Sequence, residues 1–394
     1  MIPYSKQLIL NKDIQEVVKV LRSDFLTQGP MVKKFENKIS NYVKSKYAVA
    51  VNSATSALHL SCLALGLKKN DIVWTSTNTF VSTANCALLC GAKVDFIDID
   101  LEDYNLCIES LKNKLKIANK TNKLPKIIIP VHFAGRPCKM KEIFKLSKKY
   151  GFKIIEDSSH ALGSEIYGQK IGSCKYSDLC VFSFHPVKNI TTGEGGMVTT
   201  NNKVYSEKIE MLRTHGITKN KKIFKLKNPP PWHFEQLNLG LNYRMSDIAA
   251  ALGISQLKSL KYFLRSRNKI AKFYDKKLNS YKLFLPKKDK TIKNAFHLYP
   301  IRTKGKNKRI TRLRLFNYLR KKDIYVNIHY IPVHYHPYYK KIGFRKNDYP
   351  KMKSYYDSVL SLPVYPGLKE NKISKIINYI KKILNEKQPS IKSS

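Results

Sequence analysis

One lysine stands apart from the many others in this chain. Lys188 lies in the stretch VFSFHPVKNITTGEGG, where apolar and small residues flank it and other lysines are scarce. A lysine is usually a solvated surface charge. Burial, by contrast, lowers the pKa of its ammonium group and makes the neutral amine available as a nucleophile. The neighbourhood of Lys188 therefore indicates an amine that can bond to a carbonyl carbon and later serve as a general base.

An acid precedes this lysine in the chain. Asp157 ends the apolar stretch FKIIE and opens the segment DSSHALG, which also contains His160. An aspartate before two serines can be an ordinary helix cap, and His160 can equally be a buried structural histidine. Paired with Lys188, however, Asp157 supplies what pyridoxal phosphate (PLP) needs: a lysine for the Schiff base and an acid that keeps the pyridine nitrogen protonated. His160 is then a candidate to lean on the ring or bond its phenolic oxygen.

Small and hydroxyl residues suggest where a phosphate can bind. In VNSATSALHL, the amides of Ala54, Thr55 and Ser56 lie at a predicted helix start, where the helix dipole favours an anion. Such Ser/Thr clusters also cap many ordinary helices. Ser183 offers a further hydroxyl to the same phosphate. Phe80 is the best candidate to stack on the pyridine ring, although an isolated Phe is more often a core residue.

The elements that must position these residues are strands alternating with helices. Apolar, β-branched runs alternate with helical periodicity from about residue 47 to 215, which predicts an α/β fold with a mostly parallel seven-stranded sheet. The predicted strands are 47–51, 71–75, 93–97, 126–131, 153–157, 178–184 and 196–200. Helices are predicted at 55–65, 79–90, 140–150 and 203–214. Ligands in such sheets bind at the carboxyl ends of strands, where Asp157 and Lys188 fall.

A second, smaller domain is predicted after the sheet. A helical pattern at 246–278 leads into strand-like stretches at 295–301 and 324–328 and helical stretches at 311–321 and 372–384. We therefore divide the chain into a PLP-binding large domain, 1–250, and an α+β small domain, 251–394. The polar tail 386–394 is expected to fray.

The net charge of +45 could be the footprint of a nucleic acid or an anionic membrane. The basic residues are nevertheless dispersed, and the nearest clusters, 219–227 and 304–309, fall in polar loops or at loop edges. We therefore expect no nucleic-acid and no membrane partner. A nucleic-acid-binding protein remains the alternative from another class, and it predicts tight, salt-sensitive binding.

The cysteines and the termini indicate a compartment. The seven cysteines are odd in number and form no CxxC pair, which disfavours both a disulfide framework and a zinc site. The sequence shows no basic leader followed by an apolar run, and no apolar window of membrane-spanning length. A cytoplasmic location is the expectation.

Several segments together resemble a known family. The stretches NSATSALHL, TFVSTANCALLCGAKVDFIDID, EDSSHALGS, FSFHPVKNITTGEGGMVTTN and LNYRMSDIAAALGISQL are similar to the DegT/StrS family of sugar aminotransferases, in order and over nearly the whole chain. The resemblance implies the type I PLP-dependent aminotransferase fold, PLP as cofactor, L-glutamate as the usual amino donor, and a homodimer with active sites at the subunit interface.

The resemblance also assigns roles to residues. It makes Lys188 the Schiff-base lysine and Asp157 the partner of the pyridinium nitrogen. It makes Thr55, Ser56 and Ser183 contacts of the phosphate. Asn242, in LNYRM, corresponds to an asparagine that reaches the phosphate of the neighbouring subunit's cofactor. The residues alone indicate only that Asn242 is in a loop before a helix.

Within the family, IPYSKQ, SDFLTQGP, SSHALGS and NIHYIPVHYHPYY most resemble members that aminate C4 of a UDP-linked 4-keto-6-deoxy-N-acetyl-hexosamine in pseudaminic acid synthesis. The product would be UDP-4-amino-4,6-dideoxy-N-acetyl-β-L-altrosamine. Another UDP- or dTDP-keto sugar is the alternative acceptor. Implied substrate contacts are Tyr4, Asp24, Phe25, Leu26, Thr27, Ala54, Ser183, Asn242, Ile328, His329, Tyr330, Ile331 and Tyr339.

Two other interpretations are weaker. The histidines at 329, 334 and 336 could be metal ligands, but no acid lies near them in the sequence, so no metal site is expected. Family members that became PLP dehydratases carry histidine in place of the Schiff-base lysine. Lys188 is present, which favours transamination.

Overall fold

The structure is a computed structural model that describes residues 1–386. Residues 387–394, which make up most of the tail expected to fray, lie outside the described residues. The strands are β1 (Tyr47–Val51), β2 (Ile72–Ser76), β3 (Lys93–Ile97), β4 (Ile127–Ile129), β5 (Lys153–Asp157), β6 (Glu165–Ile166), β7 (Gln169–Lys170), β8 (Leu179–Ser183), β9 (Gly196–Thr200), β10 (Ile217–Thr218), β11 (Glu235–Gln236), β12 (Leu283–Phe284), β13 (Ile292–Lys293), β14 (Tyr299–Thr303) and β15 (Val359–Leu362).

The helices alternate with these strands. They are α1 (Asn11–Leu21), α2 (Pro30–Val43), α3 (Ala54–Ala64), α4 (Ser82–Leu89), α5 (Ile108–Lys120), α6 (Met140–Tyr150), α7 (Lys203–Leu212), α8 (Asp247–Leu278), α9 (Lys308–Lys321), α10 (Pro337–Lys341), α11 (Pro350–Tyr356) and α12 (Glu370–Asn385). Short 3₁₀ turns lie at Phe133–Gly135, Lys221–Ile223 and Val333–Tyr335. Among the described helices, none is at once long and apolar enough to cross a bilayer.

Seven strands form the main sheet, in the order β1-β9-β8-β5-β4-β2-β3. Only β9 runs against its neighbours β8 and β1, and the other pairings are parallel. The predicted α/β fold with a mostly parallel seven-stranded sheet is confirmed. The clearest difference is β4, which is shorter than predicted because Pro130 lacks the N–H that would continue the ladder. Pairing resumes as a single bridge between Val131 and Asp157.

Both faces of the sheet are covered, which explains why its strands are continuous apolar runs. In β8, Val181 packs with Leu58 of α3 in one buried cluster. The flanking Phe182 points to the opposite face, where it packs with Phe35 of α2 and Ile254 of α8. Side chains alternate between the faces of a strand, so a strand buried on both sides has no face of polar residues directed to solvent.

The long helix α8 belongs to two buried clusters. Its first half, including Phe263, packs against the main sheet. Its second half, including Tyr274, packs with the antiparallel sheet β12-β14-β15 and with α9 and α12. The change of cluster falls inside the helix, after residue 263, and the division at 250/251 stays a prediction. The strand expected at 324–328 does not form, because Ile324 and Asn327 bridge to different partners.

Gly253 generates a prediction about stability. A Cβ at this position of α8 would lie 2.7 Å from Cζ of Phe35 and 2.8 Å from Cγ2 of Thr192. We expect Gly253→Val to lower the free energy of unfolding by about 1–3 kcal/mol, the usual cost of overpacking a core. Urea unfolding measures this change. Lys258→Val, on an exposed position of the same helix, is the matched control and should change stability by at most about 0.5 kcal/mol. Equal effects of the two substitutions would show that the close approach at Gly253 is not a constraint.

Candidate active site

A cavity of about 550 Å³ lies where strands β1, β2, β5 and β8 end. Residues near the amino terminus and the segment 327–330 close it from the side of the smaller sheet. The predicted site residues that line it are Tyr4, Ala54, Thr55, Phe80, Asp157, His160, Ser183, Lys188, Ile328, His329 and Tyr330. Strand ends from distant parts of the sequence thus meet in one place, as expected for an open α/β sheet.

Lys188 lies on the loop that follows β8. Its backbone N–H donates to the carbonyl of His185 at 2.9 Å, and its side chain lines the cavity. Burial lowers the pKa of the Lys188 ammonium to about 8, although Asp157 and Glu194 act in the opposite direction. An ordinary lysine is almost wholly protonated at neutral pH, so the surroundings of Lys188 increase the share of neutral amine.

Asp157 ends β5 and is 4% exposed. One carboxylate oxygen, Oδ2, accepts a hydrogen bond from the Thr83 hydroxyl at 2.6 Å. The other, Oδ1, accepts from the hydroxyl of Ser159 at 2.6 Å and from its backbone N–H at 3.1 Å. These three donors fix the orientation of the carboxylate. Within the described residues, no helix lies between β5 and β6, so the bond from the Ser159 amide caps a turn and not a helix, and Asp157 also lines the cavity.

The predicted phosphate cradle is present in part. Ala54 and Thr55 open α3 and line the cavity, and amides in the first turn of a helix lack intrahelical partners. Ser56 differs from the prediction, because its amide donates to the Ser53 hydroxyl at 3.1 Å and its own hydroxyl donates to Asn52 at 2.6 Å. Ser53 is the helix cap, and capping leaves Ser56 buried behind the cavity wall.

A neutral histidine stack forms another wall. The His160 ring lies 4.3 Å from the His297 ring, centroid to centroid. Burial, and then the nearby Lys188 and His329, lower the pKa of His160 well below its ordinary value. Because Nδ1 of His160 accepts from the backbone N–H of Ala134 at 3.3 Å, its Nε2 carries the proton and donates to the Tyr330 hydroxyl at 3.1 Å. His160 therefore presents a fixed, uncharged ring.

Aromatic residues surround the cavity mouth. Phe80 is 57% exposed, and its ring centroid lies 6.1 Å from that of Tyr330. Tyr4 lies 5.2 Å from His329, also between centroids. Burial lowers the pKa of His329 to about 3, so this side chain is neutral as well. The mouth thus offers flat, uncharged surfaces beside the polar floor.

Some predicted contacts do not line the cavity of the same chain. Asp24, Phe25, Leu26, Thr27, Asn242 and Ile331 are exposed. The carbonyl of Leu26 accepts from the N–H of Asp247 at 2.9 Å, which holds the first of these segments against the start of α8. Tyr339 is buried in the core, where its hydroxyl donates to Asn85 at 2.6 Å and its ring packs on Phe96. Tyr339 does not line the cavity of the same chain.

The structure adds residues that the sequence did not reveal. Ser159 and Thr83 hold Asp157, while His297 and Glu194 line the cavity. Ser159 had a usable signal, because an aspartate often accepts a hydrogen bond from the residue two positions on. His297 and Thr83 come from distant segments with no local signal.

The arrangement has the parts that a PLP site requires. A half-buried amine, a fixed carboxylate, two free amides at a helix start and a flat neutral imidazole face one cavity. Within residues 1–386, no group of three or more His, Cys, Asp or Glu side chains is placed so that it could hold a metal ion. These residues fit an anionic, aromatic aldehyde cofactor.

Comparison with known proteins gives the same family over most of the chain. Residues 7–381 match the DegT/DnrJ/EryC1/StrS aminotransferase family. The chain is 42% identical over 378 residues to the UDP-4-amino-4,6-dideoxy-N-acetyl-beta-L-altrosamine transaminase of Campylobacter jejuni, covering 95% of this chain and 96% of that protein.

Two solved structures have the same fold. The first is the sugar aminotransferase Spr1654 of Streptococcus pneumoniae in its PMP form, with a TM-score of 0.89 and 30% identity, covering 97% of this chain and 99% of the other. The second is PseC of Helicobacter pylori, an aminotransferase involved in the biosynthesis of pseudoaminic acid, with a TM-score of 0.88, 30% identity and the same two coverages, 97% and 99%. The resemblance inferred from the sequence is confirmed. The chain therefore belongs to the DegT/DnrJ/EryC1/StrS family and is a PLP-dependent sugar aminotransferase.

Proposed function

We propose that this enzyme transfers the amino group of L-glutamate to C4 of a UDP-linked 4-keto-6-deoxy-N-acetyl-hexosamine. The product would be UDP-4-amino-4,6-dideoxy-N-acetyl-β-L-altrosamine, for pseudaminic acid synthesis. The observation that carries the chemistry is the cavity in which the Lys188 amine and the Asp157 carboxylate meet. Similarity along nearly the full length to a transaminase of that name supports the choice of sugar.

PLP, when bound, withdraws electrons from the carbon that gains or loses the amino group. Lys188 would hold the cofactor through its amine and, once the donor has displaced it, carry the proton to and from the reacting carbon. Its lowered pKa suits this role, because a base works best when its pKa lies near the working pH. Asp157 would keep the pyridine nitrogen protonated, which its two well-supported oxygens allow.

Other residues would bind and orient. The free amides of Ala54 and Thr55 and the hydroxyl of Ser183 would hold the phosphate. The neutral ring of His160, backed by His297, would lie flat against the pyridine. Charge on this imidazole would oppose the protonated ring nitrogen, so the burial that keeps His160 neutral also serves the cofactor.

We propose that the substrate lies between two chains of a homodimer. Tyr4, Phe80 and Ile328–Tyr330 line the cavity of the same chain. Asp24–Thr27, Asn242 and Ile331 are exposed away from it and would reach the cavity of a partner. The loop between α7 and α8 supports an interface, because it exposes Trp232 at 80% and Leu239 at 88%. Large exposed apolar side chains mark association surfaces. Tyr339 is left out of the substrate contacts because it is buried.

We also propose that the enzyme works in the cytoplasm. All seven cysteines are free, and six of them are buried. Disulfides are rare in reducing compartments, so their absence among these side chains is consistent with such a location.

The product assay tests the choice of sugar directly. Purified holoenzyme is incubated with L-glutamate and, in parallel, with UDP-linked and dTDP-linked 4-keto sugars, and the products are identified by mass and NMR. We expect an amine at C4 of the UDP-linked N-acetyl sugar, with NMR coupling constants that match the configuration of UDP-4-amino-4,6-dideoxy-N-acetyl-β-L-altrosamine. Turnover of another keto sugar, without turnover of this one, would overturn the choice of sugar and leave the aminotransferase chemistry intact.

Mixing two variants tests the shared active site. Lys188→Ala should fold but hold no lysine-bound cofactor and lose transamination, while Asn242→Ala should release its cofactor more readily. In a mixed dimer, one cavity combines the intact Lys188 of one chain with the intact Asn242 of the other. We therefore expect co-expressed or co-refolded variants to recover activity at limiting PLP, measured against each variant alone. A Lys188→Ala chain mixed with itself is the control. No recovery in verified mixed dimers would contradict the shared site.

The lowered pKa of Lys188 predicts how cofactor uptake depends on pH. Only the neutral amine attacks an aldehyde, so uptake of PLP by the apoenzyme should rise with pH and reach half its maximum near the pKa of about 8. The Asp157 carboxylate raises this pKa, so Asp157→Asn should move the midpoint to lower pH while reducing turnover by about 10²-fold or more. Stopped-flow absorbance gives the uptake rates. A midpoint near that of a free lysine, or full turnover by the variant, would count against the pairing.

A further inference from the structure

One buried cation near the site has no acidic partner. Arg267 lies on α8 and is 1% exposed. Within residues 1–386 it forms no ion pair with a carboxylate. Its guanidinium instead donates to main-chain carbonyls. Burial lowers the pKa of Arg267 to about 9, because the guanidinium is removed from water.

The carbonyls come from three segments that are distant in sequence. Nη1 donates to Val364 at 2.7 Å, to His297 at 3.2 Å and to Phe296 at 3.3 Å. Nη2 donates to the carbonyls of Val187 and Lys188, each at 3.4 Å. A planar guanidinium has donors in a fixed fork, so these contacts fix the three segments relative to one another.

Two of these segments form the cavity wall. The segment of Val187 and Lys188 contains the lysine whose amine lines the cavity. The segment of His297 places its ring against that of His160, with 4.3 Å between the centroids. The third segment, at Val364, follows β15 of the smaller sheet. The loop of Lys188 has no regular secondary structure of its own. Besides Arg267, it is held by the hydroxyl of Ser5, which donates to the carbonyl of Val187 at 3.2 Å. The side-chain amide of Asn189 also holds it, by donating to the carbonyl of Leu162 at 2.8 Å.

We propose that Arg267 is a positioning residue for the reaction: by holding the carbonyl of Lys188 to those of His297 and Val364, it sets where the lysine amine stands against the ring-stacking wall. The proposal rests on the role assigned to Lys188 above. An apolar side chain of similar size would fill the same space but leave up to five buried carbonyls without this donor. The loop that carries Lys188 would then shift relative to the wall formed by His160 and His297. A displacement of about 1 Å can cost about 10²-fold in rate.

The charge of Arg267 has a second effect on the same wall. The pKa of His297 is lowered well below its ordinary value, first by burial, then by His160, Lys188 and Arg267. A protonated His297 would repel both the lysine ammonium and the guanidinium. Arg267 thus helps to keep the residue behind His160 uncharged while it holds the backbone in place.

The test compares Arg267→Met and Arg267→Lys with Arg265→Met in the full-length holoenzyme. Arg265 is exposed on the same helix two residues away, so its variant controls for loss of one arginine from α8. Each protein is assayed for kcat, for KM of both substrates and for the deuterium isotope effect of Cα-deuterated L-glutamate. Visible circular dichroism of the bound cofactor reports, without turnover, how the lysine holds the ring.

For Arg267→Met we expect kcat to fall by about 10²-fold, with both KM values within about twofold. The isotope effect should rise because proton transfer by a displaced Lys188 becomes rate-limiting, and the circular dichroism band should change. Arg267→Lys should recover part of kcat, since an ammonium can reach only some of the carbonyls. Arg265→Met should match the parent in every measurement.

A folded Arg267→Met protein with parental kcat, isotope effect and dichroism would overturn the proposal. A fall in kcat with an unchanged isotope effect and unchanged dichroism would also overturn it, because that pattern indicates only a smaller active fraction. If Arg267→Met fails to fold, Arg267→Lys decides, and parental values in all three measurements overturn the proposal. Failure of the proposed function is distinguishable in the parent enzyme: a wrong role for Lys188 would leave no cofactor bound through it, and a wrong choice of sugar would leave the cofactor bound but that sugar unconverted.

Discussion

The site depends on bringing an amine and a carboxylate together in one cavity at the edge of the main sheet. Burial disfavours the charged form of Lys188, whereas Asp157 and Glu194 favour it, and the balance leaves the pKa near 8. If burial acted alone, the pKa of Lys188 would be lower, and the amine would be a weaker base toward its substrate. If the carboxylate lay at the surface, its attraction for the ammonium would be weaker and the pKa of Lys188 would also be lower.

The sheet explains why that balance is reached. Asp157 ends β5 and pairs in register with Val181 of β8, and the loop carrying Lys188 begins where β8 ends. The two groups therefore come to the same edge from neighbouring strands. The buried acid is tolerated because Thr83 and Ser159 satisfy its oxygens, as a buried carboxylate requires. The helix start at Ala54 lies at the same edge, so the proposed anion site and the proposed reactive pair share one cavity.

The sequence predicts most of this scaffold, because strands buried on both faces are continuous apolar runs and the site residues follow them directly. Lys188 and Asp157 could be found in this way, since each follows a strand. The sequence could not show that the amide of Ser56, unlike those of Ala54 and Thr55, is already bonded. That difference depends on which amide donates to the capping hydroxyl of Ser53. His297, Thr83 and Arg267 act through contacts between distant segments, and neither periodicity nor local spacing encodes such contacts.

The central claim is that Lys188, among the many lysines of this chain, bonds covalently to the cofactor. Reducing the holoenzyme with borohydride makes that bond permanent, and peptide mass spectrometry then locates the added mass. We predict a single modified site, in the peptide that contains Lys188, at close to one cofactor per chain. Modification of a different lysine, or of none under conditions in which the enzyme is active, would contradict the account.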